Sequence, residues 1–155
     1  ESPTPTPVET LTPTPTPVVS ASLTGEVHAG KPVTVSLYNV EDTLITSVTA
    51  NTDGTFSLTA PAGTYTVVAT AEGFLSAEGA VTLTAGEVST KPAITLLAGD
   101  IVNNNVIDQF DALTIGMSYN TATPSAADLN NDGIINVLDL ELLARNYRAT
   151  GPLEW

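Results

Sequence analysis

The feature that most constrains this chain is the twelve-residue stretch from Asp128 to Asp139. Oxygen-bearing side chains occupy positions one, three, five, nine and twelve, and Gly133 occupies position six. Calcium takes roughly six to eight oxygen ligands, and a loop that curls around the ion needs a sharp turn at position six. The stretch therefore predicts a calcium loop. Its ligands would be five side chains and the carbonyl oxygen of position seven: Asp128, Asn130, Asp132, Asn136, Asp139 and Ile134.

Position twelve of this loop departs from the usual pattern, because it holds Asp139 where a bidentate glutamate is common. The alternative interpretation is a surface turn rich in asparagine and aspartate that binds no ion. Five ligand types in register with the turn glycine favour calcium over that alternative.

A second, altered copy of the loop begins at Asp100, 28 residues earlier. Val102 stands at position three, where an oxygen is expected, and Asn105 replaces the turn glycine. Asparagine tolerates the left-handed conformation, so the turn can form, but fewer ligands predict weaker binding or a turn held only by asparagine hydrogen bonds. With Val106 contributing its carbonyl oxygen, the expected ligands of this loop are Asp100, Asn104, Val106, Asp108 and Asp111.

Each loop is followed by a stretch that predicts a helix, and the two stretches repeat the 28-residue period. Their apolar residues predict contacts between the two helices. These residues are Phe110, Leu113, Ile115, Met117, Leu138, Leu140, Leu143 and Tyr147.

Between about Ser20 and Leu97 the pattern changes to alternating apolar and polar residues, which predicts strands. Turn residues at 51–54 and 60–63 predict two hairpins, and six or seven short strands predict a small antiparallel sandwich. The predicted core is Val33, Val35, Leu37, Phe56, Leu58, Tyr65, Val67, Ala69, Val81 and Leu83.

Composition excludes several classes of function. A formal charge of −13 argues against nucleic acid or an anionic membrane as a partner and suits a binder of divalent cations. There is no cysteine and a single histidine, His28, which disfavours thiol chemistry, zinc sites and serine–histidine triads. The carboxylates of the strand region fall at turns or outward positions, so no catalytic pair is expected and the chain is predicted not to be an enzyme.

Residues 1–19 are a separate Pro/Thr-rich arm that holds more than half of the chain's 11 prolines. Proline fixes φ and removes amide donors, so the arm is expected to run extended. It could be an O-glycosylated linker or a strand donated to a neighbouring subunit. The candidate glycosylation sites are Thr4, Thr6, Thr12, Thr14 and Thr16.

The strand region resembles the carboxypeptidase regulatory-like (prealbumin-like) family. The resemblance is carried by G-E-V at 25–27, K-P-V-T-V-S-L at 31–37, N-T-D-G-T-F-S-L at 51–58 and A-G-T-Y-T-V-V-A-T-A-E-G-F at 62–74. It implies an immunoglobulin-like (Ig-like) β-sandwich that serves as a non-catalytic module of secreted proteins. The only two lysines, Lys31 and Lys91, are interpreted as surface residues.

The duplicated loop and helix resemble a type I dockerin, whose loops lack the entering helix of an EF-hand. This resemblance implies two calcium ions and a helical face that binds a cohesin domain. Loop positions ten and eleven, which help to select the partner in that family, hold bulky residues here. They are Gln109, Phe110, Val137 and Leu138.

The expected fold is therefore mainly β with a small α part, in three segments: arm 1–19, Ig-like sandwich 20–97 and dockerin-like module 98–155. The lone tryptophan, Trp155, would either pack on the sandwich or remain unpacked. One functional hypothesis is an extracellular or cell-surface subunit that assembles with copies of itself into a filament. The alternative is a dockerin-bearing module that anchors to a cohesin-type scaffold in a polysaccharide-degrading or cell-surface complex.

Overall fold

A computed structural model of the chain describes residues 19–155. The expectations for the Pro/Thr-rich arm, including the five candidate threonines, lie outside the described residues. Neither helix of the described part is long and apolar enough to cross a membrane.

The first sheet is built around strand β1 (Ser20–His28). Strand β4 (Thr55–Pro61) pairs with β1 in the antiparallel direction. Strands β8 (Val88–Thr90) and β9 (Ile94–Thr95) pair with the other edge of β1 in the parallel direction. The sheet therefore has mixed strand directions rather than the purely antiparallel arrangement expected from the sequence.

The second sheet has the strand order β11-β7-β5-β2-β3. Its strands are β2 (Thr34–Tyr38), β3 (Leu44–Thr49), β5 (Gly63–Thr70), β7 (Ala77–Leu83) and β11 (Leu153–Glu154). Four of them pair in the antiparallel direction, while β11 comes from the end of the chain and pairs with β7 in the parallel direction. The end of the chain thus completes the edge of this sheet.

The core of the sandwich follows from the alternation of side chains along the strands, because every second residue points inward. Nine of the ten predicted core residues are buried, and Val81 is only partly buried against them. The sequence pattern therefore identified the inner faces of both sheets.

The turns at 51–54 and 60–63 were predicted to close hairpins, and that prediction was wrong. The chain passes from β3 to β4 and from β4 to β5 at these turns, and in both cases the two strands belong to different sheets. The same turn chemistry serves a hairpin and a sheet-to-sheet corner, since both need a tight reversal of direction.

The C-terminal part contains two short helices, α1 (Gln109–Met117) and α2 (Val137–Arg145), and one 3-10 turn, Ser125–Ala127. It is joined to the sandwich by strand β10 (Ala98–Asp100), which pairs with strand β6 (Gly73–Phe74). Buried residues of the sandwich and of the C-terminal part form one continuous hydrophobic core.

The prediction that eight apolar residues connect the two helices is largely wrong. Only Ile115 and Leu143 are buried, and the other six are exposed. Each helix has nine residues, so it presents only one short row to the core, and the remaining apolar side chains point to solvent.

The two lysines also differ from the surface interpretation. Lys31 is buried, whereas Lys91 is half-buried and donates a hydrogen bond of 2.6 Å to the carbonyl oxygen of Trp155. The tryptophan packs on the sandwich, with its ring against Phe56 in an edge-to-face contact. The sequence left open whether Trp155 packs on the sandwich or remains unpacked, and in the structure it is packed.

Candidate metal centre and docking surface

The second loop, Asp128 to Asp139, is organised by Asp128 at position one, which is buried. Its carboxylate accepts hydrogen bonds from the amides of Asp132 at 3.1 Å and Gly133 at 2.9 Å. Gly133 has a φ of 89°, a conformation that glycine adopts at little cost. The carboxylate of position one therefore holds the turn at positions five and six.

Asp139 at position twelve closes the same loop from the first turn of helix α2 and is fully buried. One of its oxygens accepts from the amides of Leu129 at 2.7 Å and Asn130 at 3.2 Å, and the other accepts from the amide of Asn136 at 2.8 Å. Asp139 thus connects both ends of the loop. Its side chain, although shorter than that of glutamate, is long enough to make these contacts.

The remaining predicted ligands of this loop lie next to one another. The side-chain nitrogen of Asn130 donates to the Asp132 carboxylate at 2.8 Å, and the side-chain nitrogen of Asn136 donates to the carbonyl oxygen of Ile134 at 3.1 Å. All six predicted calcium ligands therefore belong to one curled segment, whose inner groups are oxygens and amides.

The first loop repeats this geometry around Asp100 and Asp111. The carboxylate of Asp100 accepts from the amides of Asn104 at 2.9 Å and Asn105 at 3.0 Å. That of Asp111 accepts from the amides of Ile101, Val102 and Asp108, at 2.8, 2.9 and 2.8 Å. Each of these bonds has its counterpart 28 residues later, so the repeat is present in the structure as well as in the sequence.

The altered positions of the first loop leave its backbone path intact. Asn105 takes the place of glycine with a φ of 61°, and Asn104 accepts a hydrogen bond from the amide of Val106 at 2.9 Å. Val102 is exposed and carries no oxygen in its side chain. The first loop therefore keeps its shape with one side-chain ligand fewer.

Loop residues also cap the helices. Position nine is the N-cap of each helix, as Asp108 for α1 and Asn136 for α2. Position twelve completes a capping box by accepting a hydrogen bond from the N-cap amide. Any ordering of a loop consequently orders the start of the helix that follows it.

The donor set of both loops fits a hard cation that prefers oxygen. Burial, reinforced by the neighbouring Asp111 carboxylate and opposed by amide hydrogen bonds, raises the pKa of Asp100 above its usual range. A bound cation would favour the ionised form of this buried carboxyl. Among residues 19–155, no three His, Asp or Glu side chains form a metal cluster by themselves, so the fit depends on asparagine and carbonyl oxygens as well.

The two loops are connected crosswise by Ile107 and Ile135, which occupy position eight and are fully buried. Ile135 exchanges backbone hydrogen bonds with Asn120 and Thr121 after helix α1, whereas Ile107 exchanges them with residues 148–149 after helix α2. Each loop is therefore fixed to the segment that follows the other helix. Sequence reasoning overlooked this pair, although the 28-residue repeat aligns two apolar residues inside polar loops.

An apolar surface covers the outer sides of the two helices. All four predicted partner-binding residues, Gln109, Phe110, Val137 and Leu138, are exposed. Six further exposed apolar residues lie on the helices or close to them in the sequence. They are Leu113, Met117, Tyr119, Ile134, Leu140 and Tyr147. We call these ten residues the docking surface.

Sequence reasoning did not predict that Lys31, Glu72 and Ser76 connect the sandwich to the C-terminal part. Lys31 donates to the carbonyl oxygen of Ser125, and Ser76 donates to Asn105 at 3.2 Å. No local pattern marks these residues, because their contacts join positions far apart in the chain.

Comparison with protein-family models gives two matches. Residues 18–97 match the carboxypeptidase regulatory-like domain, and residues 98–147 match the type I dockerin domain. A search of curated proteins found no match.

Two similar solved structures come from Acetivibrio cellulolyticus and are described as N-terminal and C-terminal interface mutants of a type II cohesin–X-dockerin complex. Each matched chain is 22% identical, and the match covers 84% of this chain and 97% of that one. The TM-scores are 0.64 and 0.63, and a match over 84% of this chain extends beyond the sandwich into the C-terminal part.

Proposed function

Because residues 18–97 belong to the carboxypeptidase regulatory-like domain family and residues 98–147 form a type I dockerin domain, we propose that this chain anchors to a cohesin-type scaffold. Both domains are non-catalytic interaction modules, and type I dockerin domains bind calcium. The whole chain would be a non-enzymatic, extracellular or cell-surface module. It would consist of an arm at 1–19, a sandwich at 20–97 and a docking module at 98–155.

The observation that carries the proposal is the docking surface. Phe110, Val137 and Leu138 are each about half exposed or more, on helices whose first turns are fixed by the calcium loops. A concentration of large exposed apolar residues on one module favours a protein-binding site there. The chain also shares its fold with a chain from each of two cohesin–X-dockerin complexes, which supports a partner of the cohesin class.

We propose one calcium ion in each loop. The second loop would use the six oxygens predicted from its sequence. The first would bind more weakly, since Val102 offers no side-chain oxygen at position three. Calcium would supply positive charge among the carboxylates, and the residues of the chain would fix the start of each helix beneath the docking surface.

Self-assembly into a filament has no support in these comparisons. The arm on which that hypothesis depends also lies outside the described residues. The cohesin-binding alternative is therefore the proposal that we adopt.

A capture experiment tests this function. Immobilised type I and type II cohesin domains should retain the chain in calcium and release it in excess EDTA. The double variant Phe110→Asp/Leu138→Asp places two charges in the docking surface and should weaken binding about thirtyfold or more, as expected for the loss of central contacts.

Val40→Asp is the matched control, because Val40 is an 83% exposed apolar residue between strands β2 and β3 of the sandwich. It should bind like the unmodified chain. Failure of every cohesin to retain the chain in calcium, or equal retention of the double variant and the control, would refute the proposed function.

A further inference from the structure

The segment of the sandwich from Glu72 to Ser76 lies against both loops. It contains strand β6 and connects β5 to β7. None of its residues belongs to the proposed ligand sets. Its contacts therefore concern the position of the loops and not the coordination of an ion.

The start of the second loop is held by two side chains of the sandwich. The Ser125 hydroxyl donates to Glu72 at 2.7 Å, and the ammonium group of Lys31 donates to the Ser125 carbonyl oxygen. Lys31 also lies 4.0 Å from the Glu72 carboxylate, and its side chain is only 5% exposed. Ser125 opens the 3-10 turn that ends at Ala127, directly before Asp128. These contacts fix the approach to the first ligand of the second loop.

Gly73 brings the two backbones together at the same place. It has a φ of 82°, and a Cβ added there would lie 2.2 Å from the carbonyl oxygen of Ala126. That atom is backbone, so it could not move aside without shifting the 3-10 turn. Only glycine allows this approach.

The same segment holds the first loop. Gly73 pairs with Asp100, the first proposed ligand of that loop, in the short sheet of β6 and β10. Three residues further on, the Ser76 hydroxyl donates to the side-chain oxygen of Asn105 at 3.2 Å. The asparagine that replaces glycine at position six thus makes a contact with the sandwich that glycine could not make.

We propose that Glu72–Ser76, with Lys31, is a shared support through which the two calcium loops strengthen each other's ion binding. The inference rests on the proposed assignment of calcium to both loops. A loop whose first ligand is already fixed loses less conformational freedom when it binds the ion. An ion in one loop orders the support and thereby the other loop, and this coupling is reciprocal.

The substitution Gly73→Ala tests the support, with Gly86→Ala as its matched control. Gly86 has a similar φ of 77°, but the nearest atom to an added Cβ there is a Val19 carbon at 3.8 Å. Both variants carry the same kind of backbone strain, while only Gly73→Ala disturbs the approach to the loops. Calorimetric calcium titration gives the overall affinity, and the amide resonances of Asn105 and Gly133 report each loop separately.

Gly73→Ala should bind calcium about tenfold more weakly than Gly86→Ala at both loops, a difference within the usual range of coupling between sites. Equal affinities of the two variants, or a loss confined to one loop, would overturn the shared support. If the unmodified chain binds no calcium, the ion assignment fails and this inference fails with it.

A milder pair of variants decides the question if Gly73→Ala does not fold. Ser125→Ala removes the hydrogen bond to Glu72 without changing charge, and Ser57→Ala on the exposed side of β4 is its control. Ser125→Ala should weaken binding about two- to fivefold, the size expected for one hydrogen bond, with the larger effect at Gly133 and a smaller one at Asn105. Binding equal to that of Ser57→Ala at both resonances would refute the proposal.

Discussion

Single residues of this molecule permit contacts that any larger residue would prevent. Gly79 on strand β7 is one of them, because a Cβ added there would lie 1.7 Å from the carbonyl oxygen of Trp155. The indole ring of Trp155 rests 5.6 Å from the Phe56 ring, centre to centre, and its nitrogen donates to the Pro92 carbonyl oxygen at 2.8 Å. Because Gly79 has no Cβ, Trp155 can approach strand β7 and pack against the sandwich.

We expect Gly79→Ala to displace Trp155 from the sandwich. Trp155 is the only tryptophan of the chain, so its fluorescence emission should shift to the red as the ring meets water, and the melting temperature should fall. The measurement is intrinsic fluorescence during thermal unfolding.

Gly116→Ala provides the control for this change, since nothing lies within 4 Å of a Cβ added at Gly116 in helix α1. It should leave the emission unchanged and raise stability by about 0.5–1 kcal/mol, because alanine is the better helix former. An unshifted emission in Gly79→Ala would show that the end of the chain does not depend on this approach.

Among the elements, each helix buries one apolar residue fully and packs a second one, Ala112 or Leu142, only partly against the core. Ile115 of α1 and Leu143 of α2 are both 1% exposed, while Met117, also on α1, is 80% exposed. The helices are held at their first turns by the capping boxes of the loops. Much of their apolar surface therefore remains exposed.

Leu143→Ala should destabilise the protein by about 2–5 kcal/mol, the usual range for a cavity in a packed core. Met117→Ala should change stability by less than about 0.5 kcal/mol, since its side chain lies on the surface. Chemical denaturation of both variants measures the difference. Similar losses in the two variants would mean that the outer face of α1 is packed, contrary to the structure.

At the scale of the whole molecule, the sandwich and the calcium module share one core. Buried residues of both parts are continuous, β10 pairs with β6, and β11 returns to the edge of β7. The module alone would have a small core, so its stability depends on this union. The two parts are therefore expected to unfold together.

Differential scanning calorimetry should accordingly show one unfolding transition in calcium, and EDTA should move the whole transition to lower temperature. An ion that binds only the folded state stabilises everything that unfolds with it. Two transitions, of which only one responds to EDTA, would show that the domains unfold independently. A transition that does not respond to EDTA would argue against calcium binding.

Much of this architecture could be predicted because it is periodic. Alternation along the strands identified Val35, Leu37 and Val67 as core, and a 28-residue repeat identified both loops. Periodicity did not reveal which sheet a strand joins, since the turns at 51–54 and 60–63 suit a hairpin or a corner equally well.

By itself, the sequence determined the local elements: two inner sheet faces, two loops rich in oxygen ligands and two short helices that begin inside those loops. These features depend on residues that are neighbours along the chain, so their spacing encodes them. Only the tertiary structure decided that Lys31 is buried against Ser125, that Trp155 closes the sandwich and that Glu72–Ser76 touches both loops. Such contacts join residues distant in sequence, and their energy arises only when folding brings those residues together.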